Sequence, residues 1–460
     1  MEKYENIQKE APDRAYEMDT YLIDTVLTYI DDQDKQSLIT LLNEYHPADI
    51  ADLFEQINPN SRSALMELWG KEMDGEVFAE MDEGLSGELI EEMSDEVVSL
   101  VLKDLETDDV VDLLEDLEKD EQNRLIDVLD ASGQIAVLNS LKYPEGTAGR
   151  LMARELVMAP THWNVGQTID NLRKSKNLPS QFYDVVVVDP MSKPIGKVTL
   201  STLLRARRST PLIDLVDEEF RTIPVSQSQE DVAYAFNQYN MVSAPVVDDE
   251  NRLVGVITMD DAMEVLGDEA DEDIKLLGGV GDESLTDTIL VTARQRFPWL
   301  GINLLTSILA SIVIAQFSST IEAIVALAVL MPIVASMGGN AGTQTLTVAV
   351  RALATKDLTS ANAWRVIRRE ALVGLLNGLV FAIIIGLIGY YWYGFAMLGA
   401  VLAMAMILNL LMAGLAGILV PLMLDKFKMD PALGSSALVT TVTDIIGFFA
   451  FLGLASAILL

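Results

Sequence analysis

The order of apolar and polar positions divides the chain into three regimes. From 21 to about 141, apolar residues cluster at three- and four-residue spacing, as in Leu38-Ile39-Thr40-Leu41-Leu42, Ile50-Ala51-Asp52-Leu53-Phe54 and Val97-Val98-Ser99-Leu100-Val101-Leu102. Asn-Pro, Ser-Gly and Asp-Asp pairs interrupt them, so the spacing predicts short amphipathic helices. Between Pro47 and Leu138 the pattern fits a solenoid of helix pairs, each burying its stripe against its neighbours. From 150 to 267, β-type runs take over: Tyr183-Asp184-Val185-Val186-Val187-Val188-Asp189 and Ala244-Pro245-Val246-Val247-Asp248, each followed by a turn, a glycine-containing strand and a helix. From Phe297 to the end the chain is mostly apolar, in blocks at about 297–317, 321–350, 371–391, 395–424 and 437–460. Each block has roughly the 20 residues a membrane span requires.

The middle regime repeats itself. Val187-Val188-Asp189…Pro194-Ile195-Gly196-Lys197-Val198-Thr199 aligns with Val246-Val247-Asp248…Leu253-Val254-Gly255-Val256-Ile257-Thr258 at an offset of 59 residues. The repeat resembles a tandem pair of CBS domains, a small α/β regulatory module that often holds an adenine nucleotide in its cleft. The ribose-holding Thr/Ser-x-x-Asp motif of that family matches Thr258-Met259-Asp260-Asp261 in the second copy. The first copy reads Thr199-Leu200-Ser201-Thr202, without the acid. A purely structural pair is therefore the expected reading; the alternative is a nucleotide site with Thr258 and Asp261 as its contacts.

Charge sharpens the division. The net charge is −37, but residues before Val291 carry 63 acids and 23 bases, against six and nine from Val291 onward. An acidic soluble part is no nucleic-acid binder, which needs a basic face. Such carboxylate density repels itself unless cations neutralise it. With no cysteine, disulfides, thiolate metal sites and thiol catalysis are excluded. Residues 1–20 are polar and acidic, and read as a flexible terminus rather than a signal peptide.

Acids gather in two places. One is the outer face of the helical region, with Asp104, Asp108, Asp109, Asp112, Glu115 and Asp116. Asp108 and Asp112 are four apart and share a helix face, for which a merely solvated face is the plain alternative. The other is a helix from Met259 to about Ile274, carrying Asp260, Asp261, Glu264, Asp268, Glu269, Asp271, Glu272 and Asp273. Asp261, Glu264 and Asp268 align on one side and Glu269 and Glu272 on the next. Like charges so placed destabilise a helix. Hard divalent cations bound through oxygen are the natural neutraliser; a charged linker helix is the alternative.

In the apolar third, bases occupy alternate connections: Arg294 and Arg296, then Arg351, Lys356, Arg365, Arg368 and Arg369, then Lys426 and Lys428. Positive-inside bias places the N-terminal two-thirds in the cytoplasm and the C-terminus outside. The last block contains a lone acid, Asp444, after Thr440, Thr441 and Thr443. A carboxylate at that depth usually faces a bundle interior or a water-filled path and marks an ion route; a structural hydrogen-bonding acid is the alternative. The second block holds Met331-Pro332 and Met337-Gly338-Gly339-Asn340-Ala341-Gly342-Thr343-Gln344. Its glycines and proline are expected to open the helix, with Asn340, Thr343 and Gln344 adding neutral oxygens; small residues serving only helix packing are the alternative. Five spans do not make two equal inverted halves, so a two-fold dimer closes a pore more easily. Nothing suggests catalysis: there is no nucleophile triad and no P-loop, and the only histidines, His46 and His162, are far apart and read as structural.

At this point the chain resembles, nearly end to end, the MgtE family of magnesium channels. The specific motifs are Tyr143-Pro144-Glu145-Gly146-Thr147-Ala148-Gly149, Gly338 to Gln344, Asp430-Pro431-Ala432 and Thr440-Thr441-x-x-Asp444. The resemblance implies a multidomain, mostly α protein. After the flexible 1–20 come a helical superhelix N-domain (21–142), an α/β CBS pair (143–208 and 209–267), a long acidic connecting or plug helix (259–285) and a five-helix transmembrane domain (290–460). It implies a homodimer in a cell membrane with a pore on its axis. There Asp444 of each subunit holds a hydrated Mg²⁺, and Asn340, Thr440 and Thr441 line the path. It implies Mg²⁺-sensing acids at Glu76, Asp108, Asp112, Glu230, Asp261, Glu264, Glu269, Glu272 and, at the inner mouth, Asp430. The chain departs from the family at Ser228 and Asn240, where CBS acids are common, and at Ser436-Ala437, before the Thr-Thr pair. The expected function is Mg²⁺ uptake through a pore gated by cytoplasmic Mg²⁺. The rivals are a carrier for Co²⁺ or Mn²⁺, which oxygen ligands also suit, and a membrane-anchored nucleotide sensor.

Overall fold

The computed structural model describes residues 18, 20–115, 117–175, 178–179, 181–217, 219–281, 283 and 289–460. The expectations for the flexible terminus up to 17, for Asp116, for the Asp104 side chain and for 282 and 284–285 of the connecting segment lie outside the described residues. The chain forms two compact units, Met1–Leu266 and Gly267–Leu460.

The first unit opens with a run of short helices, from Thr20–Asp31 to Ala131–Ser140. Their starts are written locally. Asn58 accepts from Ser61 N–H at 3.1 Å ahead of Pro59, and His46 Nδ1 accepts from Ala48 N–H at 3.3 Å ahead of Pro47. Each cap satisfies a helix-end donor and stops the preceding turn from continuing. His46 is thus structural, as expected, whereas His162 is simply exposed. The inward stripes meet in one continuous core that includes Leu38, Phe54, Leu65, Trp69, Phe78 and Leu114.

Two three-stranded sheets follow in the same unit. In the first, β1 (Met158–Pro160) runs parallel to β2 (Asp184–Val188), which is antiparallel to β3 (Pro194–Thr199). The second repeats this with β4 (Ile223–Pro224), β5 (Ser243–Val247) and β6 (Leu253–Thr258). Even the register repeats: Val187 faces Gly196 as Val246 faces Gly255. The repeated glycine has a steric cause. A Cβ on Gly196 would lie 2.1 Å from Val216 Cγ1, and one on Gly255 2.6 Å from Met152 Sδ, because another chain segment crosses each β-hairpin there. The two departures noted in the CBS region cap a helix. Ser228 Oγ accepts from Asp231 N–H at 3.3 Å at the start of Gln229–Tyr239. Asn240 takes the left-handed conformation (φ 50°) at its end, which Asn tolerates better than most residues.

The connecting helix runs Met259–Gly278, shorter than the expected 259–285, and Gly279 follows at φ +69°. The left-handed turn ends it, as glycine just past a helix commonly does.

Among the described residues of the second unit, five helices are long and apolar enough to cross a membrane: Ile289–Ala315, Ala326–Ala354, Ala363–Tyr393, Ala396–Lys426 and Ser435–Leu459. Two expectations need correction. The second apolar block is not one helix from 321, because a separate short helix, Ser318–Ala323, precedes the span. Nor do the glycines open that span, which is helical throughout with Pro332 inside it. They instead let neighbouring helices touch. A Cβ on Gly342 would meet Val439 Cγ1 at 2.6 Å, and one on Gly417 would meet Gly342 O at 2.6 Å. Close approach through small residues is the usual way helices associate where lipid is as apolar as leucine. The fourth span is the most enclosed of the five and the first the least.

Candidate functional sites

Two helix starts in the first unit bring acids together. Helix Thr107–Glu115 carries Asp108 and Asp109 in its first turn, and Asp109 Oδ2 accepts from Glu106 N–H at 3.2 Å. The connecting helix carries Asp260 and Asp261 in its first turn, and Asp261 Oδ2 accepts from Thr258 N–H at 2.9 Å and Thr258 Oγ1–H at 2.8 Å. The positive end of each helix favours its own acids. The two ends, however, lie within each other's fields. Asp108 feels the charges of Asp261, Asp109, Glu106 and Glu155. Glu155 is fixed beside them, accepting from Thr107 Oγ1–H at 2.6 Å.

The electrostatic consequence is large. Burial, followed by the charges of Glu155, Asp109, Asp261 and Asp260, pushes Glu106 up to about 7. Burial pushes Asp109 up to about 6. Burial first, then neighbouring carboxylates, holds Asp108 well above its ordinary range. Asp261 is raised mainly by burial, against its bonds to Thr258. Asp108 Oδ1 is closed off from solvent and has no hydrogen-bond partner, a costly state for a carboxylate oxygen unless a cation or proton satisfies it. Hard oxygen donors suit Mg²⁺ or Ca²⁺. Among the described residues no three His, Asp or Glu side chains form a ready-made cage.

The expected sensing acids are only partly gathered there. Asp108 and Asp261 are at the centre, and Asp112 is exposed but acts on Asp109. Glu76 and Glu230 are exposed in the first turns of their own helices, Glu76–Ala79 and Gln229–Tyr239, outside this cluster. Glu264 and Glu272 are exposed and Glu269 is half-buried along the connecting helix. Sequence reading missed Glu106 and Glu155. Glu106 was visible as one more acid before a helix start. Glu155 lies 48 positions from Thr107 and carried no local signal.

The two residues that match the ribose motif, Thr258 and Asp261, are bonded to each other at the start of the connecting helix. Asp261 is committed to its helix start and to the acid cluster. A cavity of about 680 Å³ lies beside the first copy, lined by Asp184, Lys197, Thr199, Ser201, Tyr239 and Ser243 among others. Its lining includes a half-buried ion pair, with Lys197 Nζ 2.6 Å from Asp184 Oδ2, which also accepts from Ser243 Oγ–H at 2.8 Å. That pair joins the two copies.

In the membrane unit, the second span leaves a polar stripe exposed, Ser336, Asn340, Gln344 and Thr347, at helical spacing. Polar groups facing lipid are costly, so such a stripe belongs against protein or water. Ser336 and Thr347 were not anticipated. Thr440, on the fifth span, stands one turn before Asp444, and its Cγ2 would lie 4.0 Å from a Cβ on Gly339. Thr441 Oγ1–H donates to Ala437 O at 2.6 Å, and Thr443, fully buried, donates to Thr440 O at 2.9 Å. Asp444 is half-buried and, among the described residues, has no hydrogen-bond or ion-pair partner. Asp430 is exposed in the turn before the fifth span, where its Oδ1 accepts from Ala432 N–H at 2.7 Å. Ser436 and Ala437 continue the helix begun at Ser435, and the bend falls at Gly434 (φ 64°).

Asn409, which sequence reading passed over, is fully buried where the second, fourth and fifth spans meet. Its Nδ2–H donates to Val334 O at 2.7 Å. A Cβ on Gly338 would lie 2.3 Å from that amide nitrogen and one on Gly447 3.0 Å from it. Asn409→Leu is expected to lose the bond and overfill the junction, at a cost of about 1–3 kcal/mol. A thermal melt in detergent measures it; an unchanged midpoint would show that Asn409 does not lock these helices.

The architecture defines a class, the multi-pass membrane proteins that carry an acidic helical domain and a CBS pair. Family models match in three places: a divalent cation transporter model over residues 331–454, the MgtE intracellular N domain over 45–146 and the CBS domain over 212–268. The magnesium transporter MgtE of Thermus thermophilus is 34% identical over 435 residues, 93% of this chain and 96% of the relative. That of Bacillus subtilis is 32% identical over 330 residues, 72% of this chain and 73% of the relative. The solved cytosolic domain of the Mg²⁺ channel MgtE in complex with ATP aligns at 27% identity and TM-score 0.50, covering 53% of this chain and 99% of that one. The chain belongs to the MgtE family of magnesium transporters.

Proposed function

We propose that this chain forms a homodimeric Mg²⁺ channel that admits Mg²⁺ to the cytoplasm and closes when cytoplasmic Mg²⁺ is high. The observation that carries the reading is Asp444, a carboxylate inside an apolar span with no partner among the described residues, one turn beyond Thr440, whose Cγ2 lies 4.0 Å from a Cβ placed on Gly339 of the second span. Mg²⁺ dehydrates reluctantly and is usually held through one or two carboxylates with its water retained. Two copies of Asp444 on a two-fold axis supply that, with Asn340, Thr440 and Thr441 offering neutral oxygens to the hydration shell. The exposed polar stripe favours a partner copy over lipid at this face. Asp430 stands at the inner mouth.

For the gate, the support is the crowding of Glu106, Asp108, Asp109, Glu155, Asp260 and Asp261. A cation among them offsets their repulsion and favours the arrangement that holds the N-terminal helices against the start of the connecting helix. Without it, repulsion favours separation. Differential binding of this kind biases a two-state element. Asp112, Glu76, Glu230, Glu264, Glu269 and Glu272 extend the acidic field. An adenine nucleotide is assigned to the cavity beside Lys197 and Thr199, on the strength of its volume and of the relative solved with ATP. The distribution of bases supports a cytoplasmic N-terminus and an outside C-terminus.

Uptake by liposomes containing the purified protein tests the reading. Mg²⁺ entry down its gradient, reduced when Mg²⁺ is added on the side of the soluble unit, is expected. Entry of Co²⁺ or Mn²⁺ in preference to Mg²⁺ would favour the rival carrier.

A further inference from the structure

The third span, Ala363–Tyr393, begins with a face that neither ion conduction nor the acidic gate uses. Arg365, Arg368 and Arg369 stand at three- and four-residue spacing and are all exposed. Among the described residues none of them forms an ion pair or side-chain hydrogen bond. The nearest acid in the chain, Glu370, belongs to the face turned toward the fourth span, where its carbonyl oxygen lies 2.9 Å from a Cβ placed on Gly414. Along the same face, deeper in the span, come Leu372, Val373 and Leu376. With Trp364, 71% exposed, and the arginines they line an open groove of about 520 Å³.

We infer that this groove binds one anionic phospholipid of the bilayer, its phosphate among the three guanidiniums and an acyl chain along Leu372, Val373 and Leu376. The argument is one of charge and depth together. Three cations without carboxylate partners are complementary to a phosphodiester, which guanidinium grips through paired N–H donors. Basic clusters at the end of a membrane helix attract anionic headgroups. Tryptophan prefers the headgroup level, which Trp364 marks at the head of the helix. The apolar wall begins one turn beyond the last arginine, where a lipid's glycerol gives way to its chains. A soluble phosphate compound has no use for that wall, and a neutral lipid has none for three arginines. The bases of this connection also serve as topology signals. That role needs charge but neither the groove nor the aligned apolar wall.

Native mass spectrometry of the full chain, purified in detergent and delipidated, tests the inference with phosphatidylglycerol and phosphatidylcholine of equal chain length. Phosphatidylglycerol is expected to bind about tenfold more strongly, and the triple variant Arg365→Gln, Arg368→Gln, Arg369→Gln to lose that preference. If the triple variant fails to insert, Arg368→Gln alone leaves four bases on this connection and is expected to lower the preference at least about threefold. An unchanged preference in whichever variant is purified would overturn the assignment. So would displacement of the lipid by free glycerol phosphate, or equal binding of six-carbon and sixteen-carbon forms, since either would mean that the headgroup alone is held. Because the native chain has no cysteine, Leu372→Cys reports a competing occupant. Efficient disulfide cross-linking between copies at that site would show that a second copy covers the groove, and would also overturn it.

Discussion

Asp444→Ala is expected to abolish Mg²⁺ flux, by more than about a hundredfold, while leaving the protein folded. A hundredfold corresponds to about 2.7 kcal/mol of lost stabilisation along the path. That is modest for removing the charge that offsets moving a divalent ion out of bulk water, since electrostatic energies grow steeply as the effective dielectric falls. Asp444→Asn is the sharper variant. It keeps the shape and the oxygen but removes the charge, and it is expected to fail almost as completely. Asp444→Glu keeps the charge but moves it by one methylene, and should retain part of the flux. Liposome uptake, with size-exclusion profiles to verify the assembly, gives the answer. Because Asp444 has no partner within the described chain, its loss breaks no internal bond, and a collapsed protein is not expected. Wild-type flux in the asparagine variant would leave this carboxylate as a structural acid and send the search for the ion path elsewhere.

Asp108→Asn is expected to uncouple the first unit from Mg²⁺. In the wild-type chain, Mg²⁺ in the millimolar range is expected to raise the melting temperature of the first unit and slow proteolysis of the segment from Tyr143 to Gly149. The variant should melt higher than wild type without Mg²⁺, because a buried, unsatisfied charge has been removed. It should then gain little when Mg²⁺ is added, and Asp261→Asn should behave alike.

The pH dependence has a definite sign. Glu106, Asp108, Asp109 and Asp261 all titrate higher in the folded protein than in the unfolded chain, with Asp109 near 6 and Glu106 near 7. Between about 4 and 7 the folded state therefore holds more protons, and stability falls as pH rises through that window. Mg²⁺ restores at pH 7 what protons supply at pH 5, so its stabilising effect should shrink toward pH 5. Equal stabilisation by Mg²⁺ in wild type and both variants at pH 7 would show these acids to be a solvated face and nothing more.

Much of the molecule was legible in the chain because it is written in local periodicity. Short helices follow from apolar spacing and caps such as Asn58 and Pro59. The CBS repeat follows from two copies whose strands pair in the same register. The five spans follow from length and hydropathy, and Asp444 stands out because one acid in an apolar run is conspicuous on its own. The glycines of the second span were misread because their sequence says only that something comes close. Whether that is an ion against opened backbone or a neighbouring helix against an intact one depends on where Val439 and Asn409 arrive, and both are distant in the chain. The surroundings of Asp261 were hidden for a similar reason. The motif names residues able to bind ribose, but the approach of Asp108 and Glu106 from the helical domain claims Asp261 for a different field. Sequence alone therefore determined which elements form, which of them are apolar enough for a membrane and where the acids are dense. Tertiary structure decided which acids share a field, which glycines touch helices and which arginines are left without a partner. Charge and contact act through space over a few ångströms, and residues as far apart as Thr107 and Glu155 become neighbours only when the chain has folded.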